Sequence, residues 1–237
     1  MNSAISRVEI EVNSGCNRRC SYCPNATVKQ KNIPMPVELF HRIIDQLSDL
    51  SFCGRISYHF YNEPLLRSDL EDLVTYAKVN LRHAKQILYT NGQYLDSRRY
   101  QTLLVSGIYH FVVTKHGSYP VSPRPSQTIQ TPNDLSFTNR GGALGSIELP
   151  LSLPCYVLHD RLLIGWNGDV LLCYEDYHRE TVLGNVLLNS ILDIWESDNT
   201  ETIRHILAAG KRGQLKPCSN CDNIKHVKRL YRSRISV

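Results

Sequence analysis

Three cysteines lie close together near the start of the chain, at Cys16, Cys20 and Cys23. Spacings of four and three residues allow three thiolates to surround one iron–sulfur cube, each thiolate binding one iron. Full ligation of a [4Fe–4S] cluster takes four cysteines, so this loop leaves one iron open to a further ligand. The alternatives are a zinc site with a distant fourth ligand and three buried thiols, but zinc motifs favour other spacings. The pattern predicts a cluster that binds another molecule.

A second cysteine set lies in the C-terminal part of the chain. It has the spacing C-x17-C-x44-C-x2-C and consists of Cys155, Cys173, Cys218 and Cys221. Four thiolates enclose either a zinc ion or a four-iron cluster. A zinc ribbon usually uses two Cys-x-x-Cys pairs and this set contains one, so iron–sulfur is favoured over zinc. The remaining cysteine, Cys53, is expected to be a buried thiol between a helix and a strand.

Alternating strand and helix patterns must position the first cysteine set. The hydrophobic periodicity predicts strands at 8–12, 55–60, 86–90 and 108–113, and helices at 36–50, 68–79 and about 96–105. Ser68 and Glu71 form a predicted capping box at the start of the second helix. Such alternation indicates parallel strands with crossover helices. Functional sites in parallel sheets lie at the carboxyl ends of the strands, so the cysteine loop and the segments after the next three strands should share one rim.

The pattern changes in the second half of the sequence. Residues 117–132 are rich in proline, serine and threonine and are predicted to form a loop, with short strands at most at 135–137 and 147–149. A hairpin is predicted at 161–173, with Asn167-Gly168 as a two-residue turn. Two helices, at 190–196 and about 200–209, should follow. We expect two domains, 1–150 and 151–237.

The C-x-x-x-C-x-x-C spacing with Tyr22 before the last cysteine resembles the radical S-adenosylmethionine (SAM) enzymes. In that family the amino and carboxylate groups of SAM fill the open iron site, and one electron from the cluster cleaves SAM to a 5′-deoxyadenosyl radical. The resemblance implies an α/β fold, a partial (β/α) barrel of radical SAM type that is abbreviated at its end.

The resemblance also assigns candidate cofactor contacts. Tyr61-Asn62-Glu63-Pro64 stands where the family carries a Gly-Gly-Glu-Pro-like motif that holds the amino group of SAM, and here Tyr-Asn replaces the two glycines. Glu63 can still accept a hydrogen bond from an ammonium group. The implied cofactor-binding residues are Tyr22, Asn62, Glu63, Thr90, Asn91 and His116.

Two residues are candidates for catalysis. Tyr61 belongs to the motif at the predicted rim, and Arg140 should lie near the late strands of the barrel. Arg140 would bind a carboxylate, carbonyl or hydroxyl of the substrate, and the alternative is a surface ion pair. The sequence assigns no general base, although five side chains are expected near the rim: Tyr58, His59, Tyr61, Lys115 and His116.

The surroundings of the second cysteine set carry a resemblance of their own. Trp166-Asn-Gly-Asp169 before Cys173, followed by Gly184-Asn185 and Ile194-Trp195, resembles the twitch domain, the shortened form of the SPASM appendage. That appendage carries an auxiliary [4Fe–4S] cluster, so the implied cofactors are two [4Fe–4S] clusters and SAM. The implied role of the auxiliary cluster is electron transfer.

Two substrate classes are consistent with this family. Most enzymes with these appendages modify ribosomally made peptides, in some cases by splicease-like C–C cleavage, whereas compact members of the 2-deoxy-scyllo-inosamine dehydrogenase type oxidise a small polyol or aminocyclitol. We expect peptide modification, because it is the commoner activity and because a basic tail could dock an acidic leader or a separate peptide-recognition protein. The tail residues are Lys225, Lys228, Arg229, Arg232 and Arg234. An external one-electron reductant is also required, and a non-catalytic iron–sulfur or zinc scaffold is the alternative from another class.

Composition excludes other classes of protein. The 237 residues are 42% hydrophobic and 21% charged, as in soluble globular proteins. The formal charge of +5 falls to about +2 once both clusters are counted, so nucleic-acid binding is not indicated. We expect a cytoplasmic protein without membrane contact, because no apolar run reaches ~18 residues and the N-terminus lacks a signal-peptide pattern.

Overall fold

The computed structural model describes residues 5–28 and 31–228, and its centre is one eight-stranded sheet of order β5-β4-β3-β2-β1-β6-β7-β8. The strands are β1 Arg7–Ile10, β2 Arg55–Ser57, β3 Lys85–Thr90, β4 Ile108–Thr114, β5 Gln127–Gln130, β6 Arg161–Ile164, β7 Asp169–Leu171 and β8 Val182–Asn185. The helices are α1 Val37–Asp49, α2 Leu70–Asn80, α3 Ser97–Ser106, α4 Ile191–Trp195 and α5 Asp198–Ala208.

Strand β1 lies near the middle of the sheet and pairs in parallel with both β2 and β6. Its alternating sequence places Val8 and Ile10 fully in the core, and Glu9 therefore lies on the opposite face. That opposite face borders the cavity described below. Helices α1, α2 and α3 follow β1, β2 and β3 and connect parallel strands, as the alternation predicts, so the α/β fold is confirmed.

Strand β5 corrects the prediction of a loop over residues 117–132. It pairs in parallel with β4, from Phe111 opposite Gln127 to Thr114 opposite Gln130. None of its residues is fully buried, so the segment lacks the apolar pattern that reveals a strand in sequence, and pairing with β4 determines its conformation. The short strands expected at 135–137 and 147–149 do not form.

Two local predictions about helix α2 and Cys53 are wrong. The N-cap of α2 is Asp69 rather than Ser68, and no side chain caps it, because the Asp69 carboxylate instead binds the Arg67 guanidinium at 2.8 Å. Cys53 is exposed rather than buried.

The C-terminal part of the chain continues the same sheet. Strands β6 and β7 form the predicted hairpin, although the connection spans four residues, and Gly168 adopts the left-handed φ of 90° that its turn requires. Strand β8 was not predicted, whereas α4 and α5 confirm the two expected helices. Because β6 pairs with β1, the sheet crosses the domain boundary expected near residue 150, which stays a prediction.

Two other expectations concern the membrane and the basic tail. None of the helices described in the structure is long and apolar enough to span a membrane. Within the basic tail, Lys225 and Lys228 belong to the described part of the chain, while Arg229, Arg232 and Arg234 lie outside it.

Candidate active site

A cavity of about 470 Å³ lies at the ends of the parallel strands. Every residue predicted for the first cluster, for the cofactor and for catalysis lines it. These residues are Cys16, Cys20, Cys23, Tyr22, Tyr61, Asn62, Glu63, Thr90, Asn91, His116 and Arg140. The structure thus brings together the carboxyl end of β3 and segments that follow β1, β2, β4 and β5, and the roles of the individual residues stay predictions.

The three-cysteine loop follows β1 and is held by hydrogen bonds within the loop and to the segment after β4. Cys23 donates its backbone N–H to the Cys20 carbonyl at 2.9 Å, and Arg18 Nη2 donates to the His116 carbonyl at 3.0 Å. Burial raises the pKa of the Cys16 thiol to about 11, so metal binding must displace its proton. No fourth cysteine lines this cavity in the described part of the chain. The donor set therefore fits a cluster with one open iron.

Glu63 is almost completely buried beside this loop, with 2% of its surface exposed. Its Oε1 accepts hydrogen bonds from Leu65 N at 3.0 Å and from Thr90 Oγ1 at 2.6 Å, and its Oε2 accepts one from Asn91 N at 2.7 Å. Burial raises the pKa of Glu63, while these hydrogen bonds act in the opposite direction. A carboxylate has about four acceptor positions, so Oε2 can still accept an ammonium donor from the cavity.

The two asparagines of the predicted cofactor set bond mainly to neighbouring loops. Asn62 Nδ2 donates to Asn13 Oδ1 at 2.9 Å, and Asn62 Oδ1 accepts from Phe60 N. Asn91 Nδ2 donates to Asn17 Oδ1 at 2.8 Å. These contacts connect the cysteine loop to the ends of β2 and β3, so both residues position the loop while bordering the cavity.

Tyr22 and His116 contact each other at the lining of the cavity. The Tyr22 hydroxyl is hydrogen-bonded to His116 Nδ1, and the Tyr22 ring stacks on Phe137 with centroids 4.3 Å apart. Burial, and secondarily the Arg18 guanidinium, lower the pKa of His116. The imidazole is therefore neutral at physiological pH, and it can form a hydrogen bond with Tyr22 or with a ligand.

Tyr61 and Arg140 also line the cavity. The Arg140 guanidinium carbon lies 5.9 Å from the centre of the Tyr61 ring, and the Tyr61 hydroxyl donates to the Tyr174 carbonyl at 3.0 Å. Arg140 Nε is buried and has no hydrogen-bond partner among the described residues. A buried guanidinium N–H without an acceptor is costly, so this donor is available to an oxygen atom of a molecule bound in the cavity.

The second cysteine set lines a small separate cavity with Arg212, Asn223 and His226. Arg212 is 1% exposed, and its guanidinium donates hydrogen bonds to the backbone carbonyls of Leu153, Pro154 and Asn223. Backbone N–H groups of Glu175 and Asn223 donate to cysteine sulfurs at 3.4 Å. A buried cation and N–H···S bonds suit an anionic four-thiolate cluster. Burial raises the pKa of Cys218 to about 12.

Several cavity residues escaped the sequence analysis. Tyr89, Arg161 and Tyr174 line the larger cavity, and so does His59, which the sequence had placed near the rim. Burial lowers the pKa of His59 to about 3. Only the position of Tyr174 directly after Cys173 offered a signal, whereas Arg161 depends on the pairing of β6 with β1. The expectation that Tyr58 lies at the rim is wrong, because it is fully buried and its hydroxyl bonds to Gln86.

Comparison with known proteins agrees with this arrangement. The sequence model of the Radical SAM superfamily matches residues 10–118, and that of SPASM, an iron–sulfur cluster-binding domain, matches residues 155–222. The S-adenosyl-L-methionine-dependent 2-deoxy-scyllo-inosamine dehydrogenase of Niallia circulans is 37% identical over 238 residues, covering 94% of this chain and 95% of that protein.

Solved structures give the same result. The crystal structure of BtrN in complex with AdoMet and 2-DOIA has a TM-score of 0.88 and 36% identity, covering 96% of this chain and 97% of BtrN. Streptococcus suis SuiB bound to the precursor peptide SuiA has a TM-score of 0.55 at 13% identity, covering 92% of this chain and 75% of SuiB, and is similar in fold alone. The chain therefore belongs to the radical SAM enzymes, with SAM and a [4Fe–4S] cluster as the cofactors of its barrel and an auxiliary iron–sulfur cluster in its SPASM domain.

Proposed function

We propose that this enzyme oxidises a secondary alcohol of a small polyol or aminocyclitol to a ketone. The observation that carries the proposal is the single cavity of about 470 Å³ that joins the three-cysteine loop to Tyr61 and Arg140. Its volume lies in the range of small-molecule and cofactor sites, so the space is that of a compact site rather than of an extended groove. The relative that acts on 2-deoxy-scyllo-inosamine, which matches almost the whole chain, supports the same substrate class.

The residues of the cavity divide between cofactor and substrate. Cys16, Cys20 and Cys23 would hold the barrel cluster, and Glu63 would accept a hydrogen bond from the SAM ammonium through Oε2. When bound, the cluster and SAM supply the 5′-deoxyadenosyl radical that removes a hydrogen atom from carbon. Arg140 would donate its Nε–H to the oxygen of the reacting alcohol and fix that carbon for hydrogen abstraction.

The overall oxidation has a simple balance. The carbinol carbon loses one hydrogen atom to the 5′-deoxyadenosyl radical, and the resulting substrate radical must lose one electron and the hydroxyl proton to become a ketone. The proton goes to solvent, and the auxiliary cluster held by the four cysteines of the SPASM domain supplies a one-electron acceptor. An external one-electron reductant would start each turnover at the barrel cluster.

Peptide modification is the second candidate. Peptide modification is the commoner activity among enzymes with this appendage, and the basic tail could dock an acidic leader. A peptide substrate would also require a separate peptide-recognition protein. The peptide-binding relative SuiB, however, is similar to this chain in fold alone. We therefore rank a precursor peptide below a small cyclic alcohol.

The test is anaerobic turnover of the reconstituted enzyme. We expect two four-iron clusters, about eight irons per chain, and 5′-deoxyadenosine formation with dithionite and SAM. With 2-deoxy-scyllo-inosamine and related cyclitols as substrates, we expect one ketone per SAM cleaved and transfer of deuterium from the carbinol carbon to 5′-deoxyadenosine. SAM cleavage without oxidation of any cyclitol, combined with modification of a precursor peptide, would refute the proposal.

A further inference from the structure

Tyr174 borders both cavities of the molecule. It follows the cluster ligand Cys173 directly, and it is the one residue common to the linings of the active-site cavity and the four-cysteine cavity within the described residues. The two cavities are therefore separated by this residue along at least part of their boundary. An interaction between the auxiliary cluster and the substrate therefore passes through Tyr174 or through the residues beside it.

Contacts on the active-site side fix the backbone and the ring of Tyr174. Its carbonyl accepts the Tyr61 hydroxyl at 3.0 Å, and Tyr61 in turn faces Arg140. The Arg161 guanidinium carbon lies 5.0 Å from the centre of the Tyr174 ring, within the range of a cation–π contact. This side of Tyr174 is thus connected to the residues that we assign to the substrate.

Contacts on the other side hold the hydroxyl of Tyr174. The hydroxyl is 2.6 Å from His226 Nε2 and accepts a hydrogen bond from Asn223 Nδ2 at 2.9 Å. The same Asn223 amide also donates to Glu175 Oε1 at 2.7 Å. The backbone N–H of Asn223 donates to the Cys221 sulfur at 3.4 Å. The Tyr174 hydroxyl therefore contacts the side chain of the same asparagine whose backbone N–H donates to a cysteine sulfur of the second set.

This arrangement has a consequence for the auxiliary cluster. Hydrogen bonds to cluster sulfurs raise the reduction potential, because they stabilise the more negative reduced state. We propose that Tyr174, with its hydroxyl held by His226, is a positioning residue that orients Asn223 toward Cys221 and thereby keeps the auxiliary cluster reducible. The link from this potential to substrate oxidation rests on the proposed function, whereas the potential itself does not.

The test uses Tyr174→Phe, which removes the hydroxyl and keeps the ring between the cavities. The measurement is a reduction titration of the cluster-loaded protein followed by electron paramagnetic resonance, without substrate. We expect a lower midpoint potential for the auxiliary cluster and an unchanged potential for the barrel cluster. Tyr76→Phe is the matched control, because it removes a single hydroxyl that bonds to Asp45 on the helical surface at 2.7 Å.

Substitutions at His226 test the same contact from its other end. His226→Leu removes the partner of the Tyr174 hydroxyl and should lower the auxiliary potential, while His226→Gln, which retains an acceptor, should restore part of it. If Tyr174→Phe does not retain its auxiliary cluster, the His226 pair decides the question. Wild-type potentials in both Tyr174→Phe and His226→Leu would overturn the proposal.

A turnover measurement separates this inference from the proposed function. With a cyclitol that the wild type oxidises, Tyr174→Phe should form less ketone per 5′-deoxyadenosine released, because the substrate radical loses its electron less often. If the wild type oxidises no cyclitol, the proposed function fails, but a lowered potential in Tyr174→Phe would still support the role of Tyr174.

Discussion

At the scale of single residues, the site contains both groups that face the cavity and groups that hold them in place. Thr90 illustrates the second kind, because its hydroxyl donates to Glu63 at 2.6 Å. Sequence reasoning proposed it as a contact to SAM, and the structure gives it a clear positioning contact as well. Glu63 is thus a buried carboxylate whose orientation three chain donors determine.

Replacing Glu63 by glutamine should weaken SAM binding. Both oxygens of Glu63 accept hydrogen bonds from the protein, so the NH₂ group of a glutamine would face one of these donors in either orientation and a buried hydrogen bond would be lost. The SAM ammonium would also lose its charged acceptor. Losses of about 1–3 kcal/mol correspond to a roughly 5- to 150-fold increase in the SAM dissociation constant, measured by calorimetry on the reconstituted protein. Asp134→Asn, at an exposed turn, is the control, and an unchanged dissociation constant would contradict the assignment of Glu63.

Arg140 should affect substrate oxidation without affecting SAM cleavage. Its buried Nε has no partner among the described residues, so Arg140→Gln removes a donor that only the ligand satisfies. We expect ketone formation to fall by roughly 100-fold, corresponding to about 3 kcal/mol for a charged hydrogen bond, while dithionite-driven 5′-deoxyadenosine formation without substrate persists. Arg140→Lys should not restore activity, because an ammonium does not reproduce the planar guanidinium. Equal losses of both activities would assign Arg140 to the cofactor instead.

At the scale of elements, the central strands were predictable and the edge strands were not. Strands β1 to β4 have buried residues and intervening helices, so periodicity in sequence reveals them. Strands β5 and β8 are four residues each and largely unburied, and they form because a neighbouring strand offers unpaired backbone groups.

The same division holds for the site: residues that follow a central strand were predictable from the sequence, and residues placed by other contacts were not. Because the cysteine loop, Glu63, Asn91 and His116 each follow a strand, the alternation alone places them at one rim. Arg161 and Arg212 could not be predicted. Arg161 depends on the pairing of β6 with β1, and Arg212 depends on the carbonyls of Leu153 and Pro154, which are distant in sequence, and on that of Asn223.

An ion pair joins the residue that follows β1 to the segment between β7 and β8. Arg179 binds Glu11, just after β1, at 2.5 Å and also lies 3.8 Å from Asp169 of β7. The Glu11 side chain is 4% exposed. A buried carboxylate that loses its cation partner is destabilising by about 3–5 kcal/mol, because its charge is left without compensation. Removal of Arg179 alone should therefore destabilise the protein strongly.

Arg179→Met should therefore lower the thermal midpoint of the cluster-loaded protein by roughly 6–20 °C. Burial already raises the pKa of Glu11, and loss of Arg179 should raise it further. A folded-state pKa above the unfolded value makes stability fall as pH rises, so the decrease should be larger at pH 8 than near pH 5. Adding Glu11→Gln should recover part of the loss, and a midpoint shift independent of pH would exclude Glu11 as its cause.

At the scale of the whole molecule, the two cysteine sets occupy separate cavities within one continuous sheet. The first cavity lies at the ends of the parallel strands, and the second is bounded by the hairpin and by the segment that carries Cys218 and Cys221. Residues that line the first cavity together with the three cysteines, such as Glu63 and His116, do not line the second cavity. The chemistry at the two sites should therefore be separable by mutation.

Cys218→Ala combined with Cys221→Ala should separate SAM cleavage from product formation. The variant loses two of four auxiliary ligands and keeps all three cysteines of the barrel site, so iron should fall from about eight to about four per chain. With dithionite, 5′-deoxyadenosine should still form, whereas ketone should be lost because the substrate radical has no acceptor for its electron. Cys53→Ala, at an exposed thiol, is the control and should retain both clusters. Full ketone formation by a double variant shown to lack the auxiliary cluster would mean that the electron leaves the substrate by another path, and the SPASM domain would then be structural.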